Sequence, residues 1–345
     1  MRGTARALRP WLRFTALLAV VAVAAAFFLD GFDISGLVER IADADGALVA
    51  VAVVVYAVSW IPRGTRYRNI LGRMGYGCRA TAMTGAVFVS QTANLVFPAR
   101  AGDGARAYVV KKRNGVPYSE GVASLAAERV LDLVAVVALG CAGAVWTFTV
   151  FGFEPAKGSG ALVAAGGVGG VTVAAVGAVY LLKQGSGVVP TGGEGVLGKV
   201  ADGVADFLGS LGSVFDDRDG IARLAGASLV IWFLDVSTAV VLFYAVGAEF
   251  SSVGGVVALS LLAVSVGNLA KVVPATPGGV GLYEAGFSSV VVGATSIGWE
   301  VAVAVAVLDH AVKNGVTVVG GIGSALALNV SLTRPADADV DVNQA

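Results

Sequence analysis

Long apolar segments with few charges recur along this chain, and they limit what it can fold into. A helix needs roughly 20 apolar residues to cross the hydrocarbon core of a bilayer, and such segments lie at Trp11–Leu29, Leu125–Phe153, Gly158–Leu182, Leu224–Val246 and Val301–Leu332. Charged residues make up only 14% of the chain, whereas a soluble domain carries about 25%. We therefore predict an all-α polytopic membrane protein, and we exclude a cytosolic enzyme and a nucleic-acid-binding protein.

Charges outside these segments predict the orientation. Arginines precede the first segment, the linker at 30–45 is mainly acidic, and the stretch at 63–81 after the second span, Gly46–Pro62, is basic. Because cytoplasmic loops are enriched in Lys and Arg, we expect the N-terminus and the 63–81 loop in the cytoplasm, with the protein in the plasma membrane. A signal peptide cleaved at Ala24-Ala25-Ala26 is the alternative for the first segment, but its length favours an uncleaved anchor.

Two further segments predict re-entrant hairpins. Ala82–Phe97 has only 16 residues and basic stretches on both sides, so both of its ends favour the cytoplasm. A hairpin satisfies that, provided that protein covers its irregular backbone. Val253–Val273 and Ala285–Ile297, joined by the stretch 274–279, form a second predicted hairpin that enters from outside. The predicted fold has about six full transmembrane helices and two broken helical hairpins, with both termini cytoplasmic.

The predicted organisation is one integral membrane domain over residues 1–332, with repeat halves at approximately 47–182 and 224–332. A cytoplasmic linker at 183–223 separates the halves, and its weakly amphipathic part, Val196–Phe215, is expected to lie on a surface. The acidic tail at 333–345 is expected to be disordered.

A short pattern occurs twice and predicts these halves. Residues 94–102 and 268–278 each contain Asn-Leu, then Pro, then Gly four residues after that Pro. A charged cluster within an apolar helix follows each copy, at 128–132 in the first half and at 309–313 in the second. With one hairpin opening inward and the other outward, this is an inverted-topology repeat whose broken helices meet at the membrane midplane. Chance recurrence of Pro-Gly breaks in a Gly-rich chain is the alternative.

Ionisable side chains inside the predicted helices indicate a polar cavity, because each costs about 2.5–3.5 kcal/mol at the bilayer centre. Neutralised pairs that hold helices in register are the alternative, and they explain any single residue equally well. Two clusters beside two broken hairpins favour a common cavity, whose basic side chains and half-helix N-termini suit a phosphate. The predicted substrate-binding residues are Arg100, Asp103, Arg106, Glu128, Arg129, Asp132, Lys271, Glu284, Asp309 and Lys313, and the predicted hinge residues are Pro98, Gly102, Pro274, Pro277, Gly278 and Gly279.

The sequence gives little support for a metal, nucleotide or catalytic-triad site. One histidine, His310, and two cysteines, Cys78 and Cys141, argue against a zinc or di-iron site, and no cofactor is expected. The Gly-rich stretches at 166–170 and 278–281 lack the Lys-Ser/Thr pair of a nucleotide-binding loop. His310 lies beside Asp309 in a predicted helix, which suits a polar network or a proton relay better than a catalytic triad. Asp235 lies in the middle of a span without a local partner.

These motifs resemble a known family. The stretch from Asn94 to Gly102-Asp103 and Arg106, with Glu128-Arg129-Val130-Leu131-Asp132, resembles the transmembrane domain of bacterial lysylphosphatidylglycerol synthases, and so does the stretch 274–281 with Glu284. The resemblance covers roughly residues 10–330. It implies a domain that acts as a flippase for aminoacylated phospholipid, while a separate soluble domain makes that lipid.

Two departures from the family's pattern bear on the substrate. The first-half motif usually carries Gly-Glu where this chain has Gly102-Asp103, and a last-helix position is often Arg where this chain has Asp309-His310. About a dozen residues follow Leu332, so the acyltransferase-like domain is expected to be absent. The resemblance therefore implies lipid handling, with aminoacyl lipid in doubt. A polyprenyl-phosphate-linked sugar is equally plausible, because some relatives are fused to or lie beside polyprenyl-phosphate glycosyltransferases.

Three hypotheses for function follow. The preferred one is a lipid translocase, not an enzyme, which moves a lipid with an anionic head between leaflets and pairs its phosphate with Arg100, Arg106, Arg129 and Lys313. The second is a non-catalytic membrane partner of a lipid-linked glycosyltransferase, with 183–223 as the docking surface. The third is a membrane-embedded transferase that modifies a lipid, although no compact catalytic constellation stands out in the sequence.

Overall fold

Helices are the regular elements throughout the part of the chain that the structure, a computed structural model, describes: residues 34–97, 100, 102–151, 206–271 and 276–329. They are α1 Ile34–Ala42, α2 Gly46–Val58, α3 Trp60–Arg73, α4 Ala80–Val96, α5 Gly102–Asn114, α6 Tyr118–Phe151, α7 206–214, α8 Arg218–Ala245, α9 Val253–Ala270, α10 Leu282–Ala294 and α11 Trp299–Ala327, with a 3₁₀ turn at Pro277–Gly279.

Five of these helical segments are long and apolar enough to cross a membrane: α2 with α3, α6, α8, α9 and α11. The prediction of an all-α polytopic membrane protein is confirmed. The predicted spans Trp11–Leu29 and Gly158–Leu182, the tail at 333–345 and the hinge residues Pro98 and Pro274 lie outside the described residues.

The stretch at 63–81 was predicted to be a cytoplasmic loop, and for most of its length that prediction is wrong. After a break at Ser59 the helix continues as α3 to Arg73, and Arg66 is fully buried within it. Pro62 is compatible with α3 because it lies in the first turn, where its missing N–H has no helical acceptor to satisfy. The buried Arg66 is compatible because acidic side chains of α6 neutralise it.

The segment α2–α3 and helix α8 run antiparallel and are both 28 residues long. At one end, the N–H of Asp45 donates to the carbonyl of Ala245 at 2.8 Å. At the other end, Arg73 forms an ion pair with Asp217 at 2.7 Å. Asp45 and Asp217 also cap the two helices, because their carboxylates accept backbone N–H groups of the first turn. The two segments therefore begin with the same kind of cap and run in opposite directions.

The helices that follow recur in the same order. After the 28-residue segment come α4, α5 and α6, with 17, 13 and 34 residues, and after α8 come α9, α10 and α11, with 18, 13 and 29. Helix α4 packs against α11, and α9 packs against α6. Gly321 of α11 admits Thr92 and Gly140 of α6 admits Ser265; each glycine lies 22 residues after the start of its helix. We propose that residues 46–151 and 218–327 are the two inverted repeats.

Helix α7 lies within the predicted amphipathic segment Val196–Phe215. Its apolar residues Leu211 and Val214 are buried against Ile70 of α3 and Leu224 of α8, and the carbonyl of Val214 accepts a hydrogen bond from Arg73 at 2.7 Å. The described part of the 183–223 linker is therefore attached to the junction between the two halves.

The first hairpin depends on the absence of a side chain at Gly102. A Cβ atom there would lie 2.4 Å from the carbonyl oxygen of Ser90 and 2.6 Å from the backbone nitrogen of Asn94, both in α4. These are backbone atoms of a regular helix, so they move only if α5 and α4 separate. The predicted hinge residue Gly102 is thus a point of close approach between the two arms.

We expect Gly102→Ala to destabilise the protein by about 1–3 kcal/mol, the usual cost of overpacking. Gly104→Ala is the matched control, because it lies in the same helix with no atom within 4 Å of the added Cβ. That variant should be neutral or slightly more stable, since alanine favours helix. Thermal unfolding in detergent measures both. Equal stabilities for the two variants would contradict the proposed close packing.

Candidate functional site

A central cavity of about 500 Å³ lies where the two hairpins meet. The end of α4 contributes Asn94 and Phe97, the end of α9 contributes Asn268, and the turn between α9 and α10 contributes Gly278 and Gly279. The remaining walls come from α3, α6, α8 and α11, with Tyr56 of α2 and Asp103 of α5. The arms of both hairpins end at this cavity, as the prediction of broken helices around a polar space requires.

Basic side chains outnumber acidic ones on the cavity lining. The basic residues are Arg63, Arg100, Arg129, Lys271 and Lys313, and the acidic residues are Asp103, Asp132 and Asp235, with His310 as a further titratable group. With His310 neutral, the formal charge of this lining is +2, five positive against three negative. A cavity with this charge attracts an anion.

Arg100 and Lys271 lack an ion-pair partner among the residues that the structure describes. Arg100 has a left-handed backbone conformation, with a φ of 57°. The ammonium group of Lys271 lies 4.6 Å from the centre of the Tyr283 ring, which is a cation–π contact. These two cations are therefore available to a negatively charged ligand.

In the first half, Arg129 of α6 connects to the hairpin through Asp103 of α5. The guanidinium lies 3.3 Å from the Asp103 carboxylate and 3.9 Å from the carboxylate of Asp132. Ser90 and Asn94 of α4 donate to the same Asp103 oxygen at 3.0 and 2.9 Å. One carboxylate thus joins both arms of the hairpin to the long helix α6.

In the second half, His310 of α11 has the corresponding place. Arg129 and His310 each lie 11 residues after the start of their helix, and His310 Nδ1 is 2.6 Å from the Glu284 carboxylate of α10. Asp103 and Glu284 both belong to the first turn of the hairpin's second arm. Where the first pair has the guanidinium of Arg129, the second pair therefore has the imidazole of His310.

A buried layer of charge supports the cavity on the side of the first half. Arg66 is 2.6 Å from Asp132 and 3.1 Å from Glu128, and it donates to Ser228 at 2.7 Å. Arg106 is fully buried, pairs with Glu128 and lies over the ring of Tyr67. Arg106 and Glu128 are predicted binding residues, but they lie behind the cavity lining and bind each other.

A second buried group lies on the side of the second half. Lys313 is 2.7 Å from Asp309 and 3.2 Å from Asp235, and Tyr283 donates a hydrogen bond to Asp309. Lys313 lines the cavity, whereas Asp309 and Glu284 do not. Asp235, which has no local partner in the sequence, has partners from other helices, because Arg63 is also within 3.8 Å.

Residues 14–321 match the sequence pattern of the lysylphosphatidylglycerol synthase TM region. The chain belongs to this family. The resemblance inferred from the hairpin motifs and the charged clusters is thereby confirmed. A Haloferax volcanii protein named Glycosyltransferase AglD is 43% identical in an alignment of 336 residues that covers 90% of this chain and 53% of that protein. The chain spans about half the length of this relative.

The family's sequence motifs account for only part of the cavity in this lysylphosphatidylglycerol synthase TM-region protein. Sequence reasoning missed Arg63 and Arg66, because it placed them in a loop. It also missed Trp232, whose indole N–H donates to Asp132 at 2.9 Å. A signal was present for the two arginines, since Pro62 is allowed in a first helical turn and Arg63 and Arg66 then share one helix face.

Metal binding finds no geometric support in the described residues, where no group of three or more His, Cys, Asp and Glu side chains is placed to hold an ion. The acidic side chains of the cavity are instead paired with arginine and lysine side chains. The arrangement is suited to binding an anion through direct contacts with cations.

Proposed function

We propose that this protein binds the anionic head of a membrane lipid in the central cavity and moves it between leaflets. The observation that carries the proposal is the cavity's excess of positive charge, which includes Arg100 and Lys271 without acidic partners in the described part of the chain. A phosphate is the favoured group, because arginine binds it through two parallel hydrogen bonds and lysine as a point charge.

A shielded route is the physical requirement for moving such a lipid. A charged group at the bilayer centre is costly, and the net positive charge of the cavity, with Arg100 and Lys271 free of acidic partners in the described residues, offsets that cost for a phosphate. Long apolar side chains on the outside of α2 and α3, such as Val54 and Ile61, are exposed on the protein surface and suit contact with lipid. The lipid's tails would stay in the hydrocarbon while its head is in the cavity.

The two halves suggest how access alternates. In each half, the first turn of the hairpin's second arm forms a pair with the long helix, Asp103 with Arg129 or Glu284 with His310. The buried contacts Arg106–Glu128 and Tyr283–Asp309 join the same elements further along. A phosphate that binds Arg129 competes with Asp103 and weakens the first attachment. In this proposal, the hairpins move in turn, and the opposite orientation of the halves gives access to opposite sides.

The substrate class within this proposal is a phosphate-headed amphiphile, either a phospholipid or a polyprenyl-phosphate-linked compound. A plasma-membrane location with both termini in the cytoplasm belongs to the same proposal and rests on the distribution of Arg and Lys in the sequence.

A second candidate function is a non-catalytic membrane partner of a lipid-linked glycosyltransferase. The observation that favours it is the name of the Haloferax relative, Glycosyltransferase AglD, together with a length about twice that of the matched region. In that case the cavity would hold the lipid-linked donor for a partner enzyme instead of carrying it across. A membrane-embedded transferase is the third candidate.

Reconstituted vesicles distinguish these candidates. We expect the protein to move fluorescent phosphatidylglycerol and a fluorescent polyprenyl phosphate, detected by bleaching from outside, but not fluorescent glucosylceramide, which lacks the phosphate. Arg129→Ala should abolish movement while the protein still folds. If the inner-leaflet fraction of both phosphate lipids stays protected from bleaching, the translocase proposal is overturned. Recovery of a chemically altered lipid would favour a transferase.

A further inference from the structure

Both ring nitrogens of His310 face oxygen atoms. Nδ1 lies 2.6 Å from a carboxylate oxygen of Glu284, and Nε2 lies 3.2 Å from the backbone carbonyl oxygen of Gly278. A carbonyl oxygen accepts hydrogen bonds and cannot donate one, and the same holds for an ionised carboxylate. Each of the two contacts therefore needs a proton between nitrogen and oxygen.

A neutral imidazole carries one N–H group and a free carboxylate carries none. The pair of His310 and Glu284 must therefore hold one proton more than a neutral ring and an ionised carboxylate. Without that proton, a nitrogen lone pair would face an oxygen at one of the two contacts. His310 is only 4% exposed, so water does not readily replace the lost hydrogen bond and the contact becomes unfavourable.

The contacts of this pair join α11 to the turn of the second hairpin. Gly278 lies in the turn and lines the central cavity, and its φ of 63° allows the tight backbone path. The second oxygen of Glu284 accepts the N–H of Gly281 at 2.7 Å. The protonated pair of His310 and Glu284 thus connects α11 to two residues of the turn, Gly278 and Gly281.

We propose that His310 and Glu284 form a proton-binding site that fastens the second hairpin to α11. Proton release breaks the contact of the turn at Gly278–Gly281 with α11, while the hydrogen bond from Tyr283 to Asp309 still joins α10 to that helix. This role of the proton rests on the proposed function, because the proton adds a positive charge to the lining of the cavity in which the lipid's anionic head would bind. By linkage, an anion in the cavity and the proton then strengthen each other's binding.

The first hairpin offers a comparison within the same chain. Its attachment uses Arg129 and Asp103, and a guanidinium stays charged at all physiological pH values. Imidazole is the side chain that changes charge between about pH 5 and 8. Protonation therefore controls the attachment of one hairpin and leaves the other unchanged.

Charged groups from several helices surround His310. Helix α10 presents Glu284 and the Tyr283 ring, whose centre lies 5.1 Å from the imidazole. The other charged groups around this side of the cavity are Asp309 and Lys313 on α11, Lys271 at the end of α9, Asp235 on α8 and Arg100 before α5. Arg63 on α3 lies 3.8 Å from Asp235. With it, four cations face three carboxylates, so the proton of His310 adds one unit to a formal charge that is already positive.

The test measures the distance between the turn and α11 directly. Nitroxide labels are attached to cysteines at Val280 and Leu326, both exposed, in a Cys78→Ser, Cys141→Ser background. Leu326 lies 16 residues beyond His310, or roughly 24 Å along the helix axis. Pulsed electron paramagnetic resonance in nanodiscs at about pH 5 and pH 8, the range in which imidazole titrates, should show one narrow distance at the lower pH and an added longer distance at the higher pH.

Two substitutions distinguish the effect of losing the proton from the effect of losing a side chain. Glu284→Gln supplies an N–H of its own to Nδ1, so a neutral imidazole satisfies both contacts and the narrow distance should persist at both pH values. His310→Ala removes both contacts and should give the longer distance at both. A wild-type distance that is identical at the two pH values, or a Glu284→Gln variant that responds to pH as the wild type does, would overturn the proposal.

These distances are independent of lipid transport. A pH-dependent distance in a protein that moves no lipid would support the proton site and overturn the translocase. Lipid movement with no change in distance would do the reverse.

Discussion

Replacing Arg66 by methionine is expected to destabilise the protein by about 3–5 kcal/mol, the usual cost of breaking a buried ion pair. Methionine keeps much of the side chain's volume and removes only the guanidinium. Glu128 and Asp132 then remain buried, and Asp132 loses a partner at 2.6 Å. Thermal or denaturant unfolding in detergent, followed by size-exclusion chromatography, measures the loss.

Arg73→Met is the matched control for this prediction. Arg73 lies in the same helix, but its partner Asp217 is largely exposed, with 55% of the side chain accessible, so water and salt screen the pair. Its loss should be much smaller. The double variant Arg66→Met, Asp132→Asn should recover part of the stability, because it removes the carboxylate that lost its 2.6 Å partner, while Glu128 keeps its pair with Arg106. A loss at Arg66 no larger than that at Arg73 would show that the buried layer is not held by this guanidinium.

Replacing Arg100 and Lys271 together by alanine is expected to lower the rate of lipid movement by roughly 10- to 100-fold for each cation. A hydrogen bond to a charged group contributes about 1.5–3 kcal/mol, and 1.4 kcal/mol corresponds to about a factor of ten. Both side chains line the cavity without an acidic partner among the described residues. Their removal therefore affects ligand binding far more than it affects the packing of helices.

The backbone of Arg100 makes the substitution informative. Alanine and arginine both have a Cβ atom and tolerate a φ of 57° equally poorly, so Arg100→Ala changes the charge and leaves the backbone strain as it was. Lys112→Ala is the control, because Lys112 is an exposed cation near the end of α5, away from the cavity lining. Unchanged lipid movement in the double variant would remove the proposed phosphate site, whereas equal losses in both would point to a non-specific effect of charge.

The two hairpins are the part of the fold that the sequence predicts best. Their existence follows from local features: short apolar segments, Pro and Gly at the breaks, and basic residues on both sides of Ala82–Phe97. The same features predict a polar space between them. The position of Asp103 and Glu284 in the first helical turn after each break also follows from sequence spacing.

The wrong prediction at 63–81 has a different cause, because it depends on contacts between residues that are distant in sequence. A row of arginines reads as a cytoplasmic loop when each charge is assumed to need water. Arg66 instead finds its counter-charges 62 and 66 residues further along the chain. No local pattern reports a partner at that separation, so the helical part of this stretch was assigned to the wrong environment.

The chain's own composition and spacing determined that it is a helical membrane protein with charged residues inside its helices, and its motifs carried the resemblance to the lysylphosphatidylglycerol synthase TM-region family. These properties depend on hydrophobicity and on helix period, which are local. Only the tertiary structure decided which charges neutralise each other and which remain for a ligand. Arg106 is occupied by Glu128, Asp235 is occupied by Lys313, and Arg100 and Lys271 face the cavity. The energy of a buried charge is set by the few groups within about 4 Å, and helices distant in sequence supply those groups.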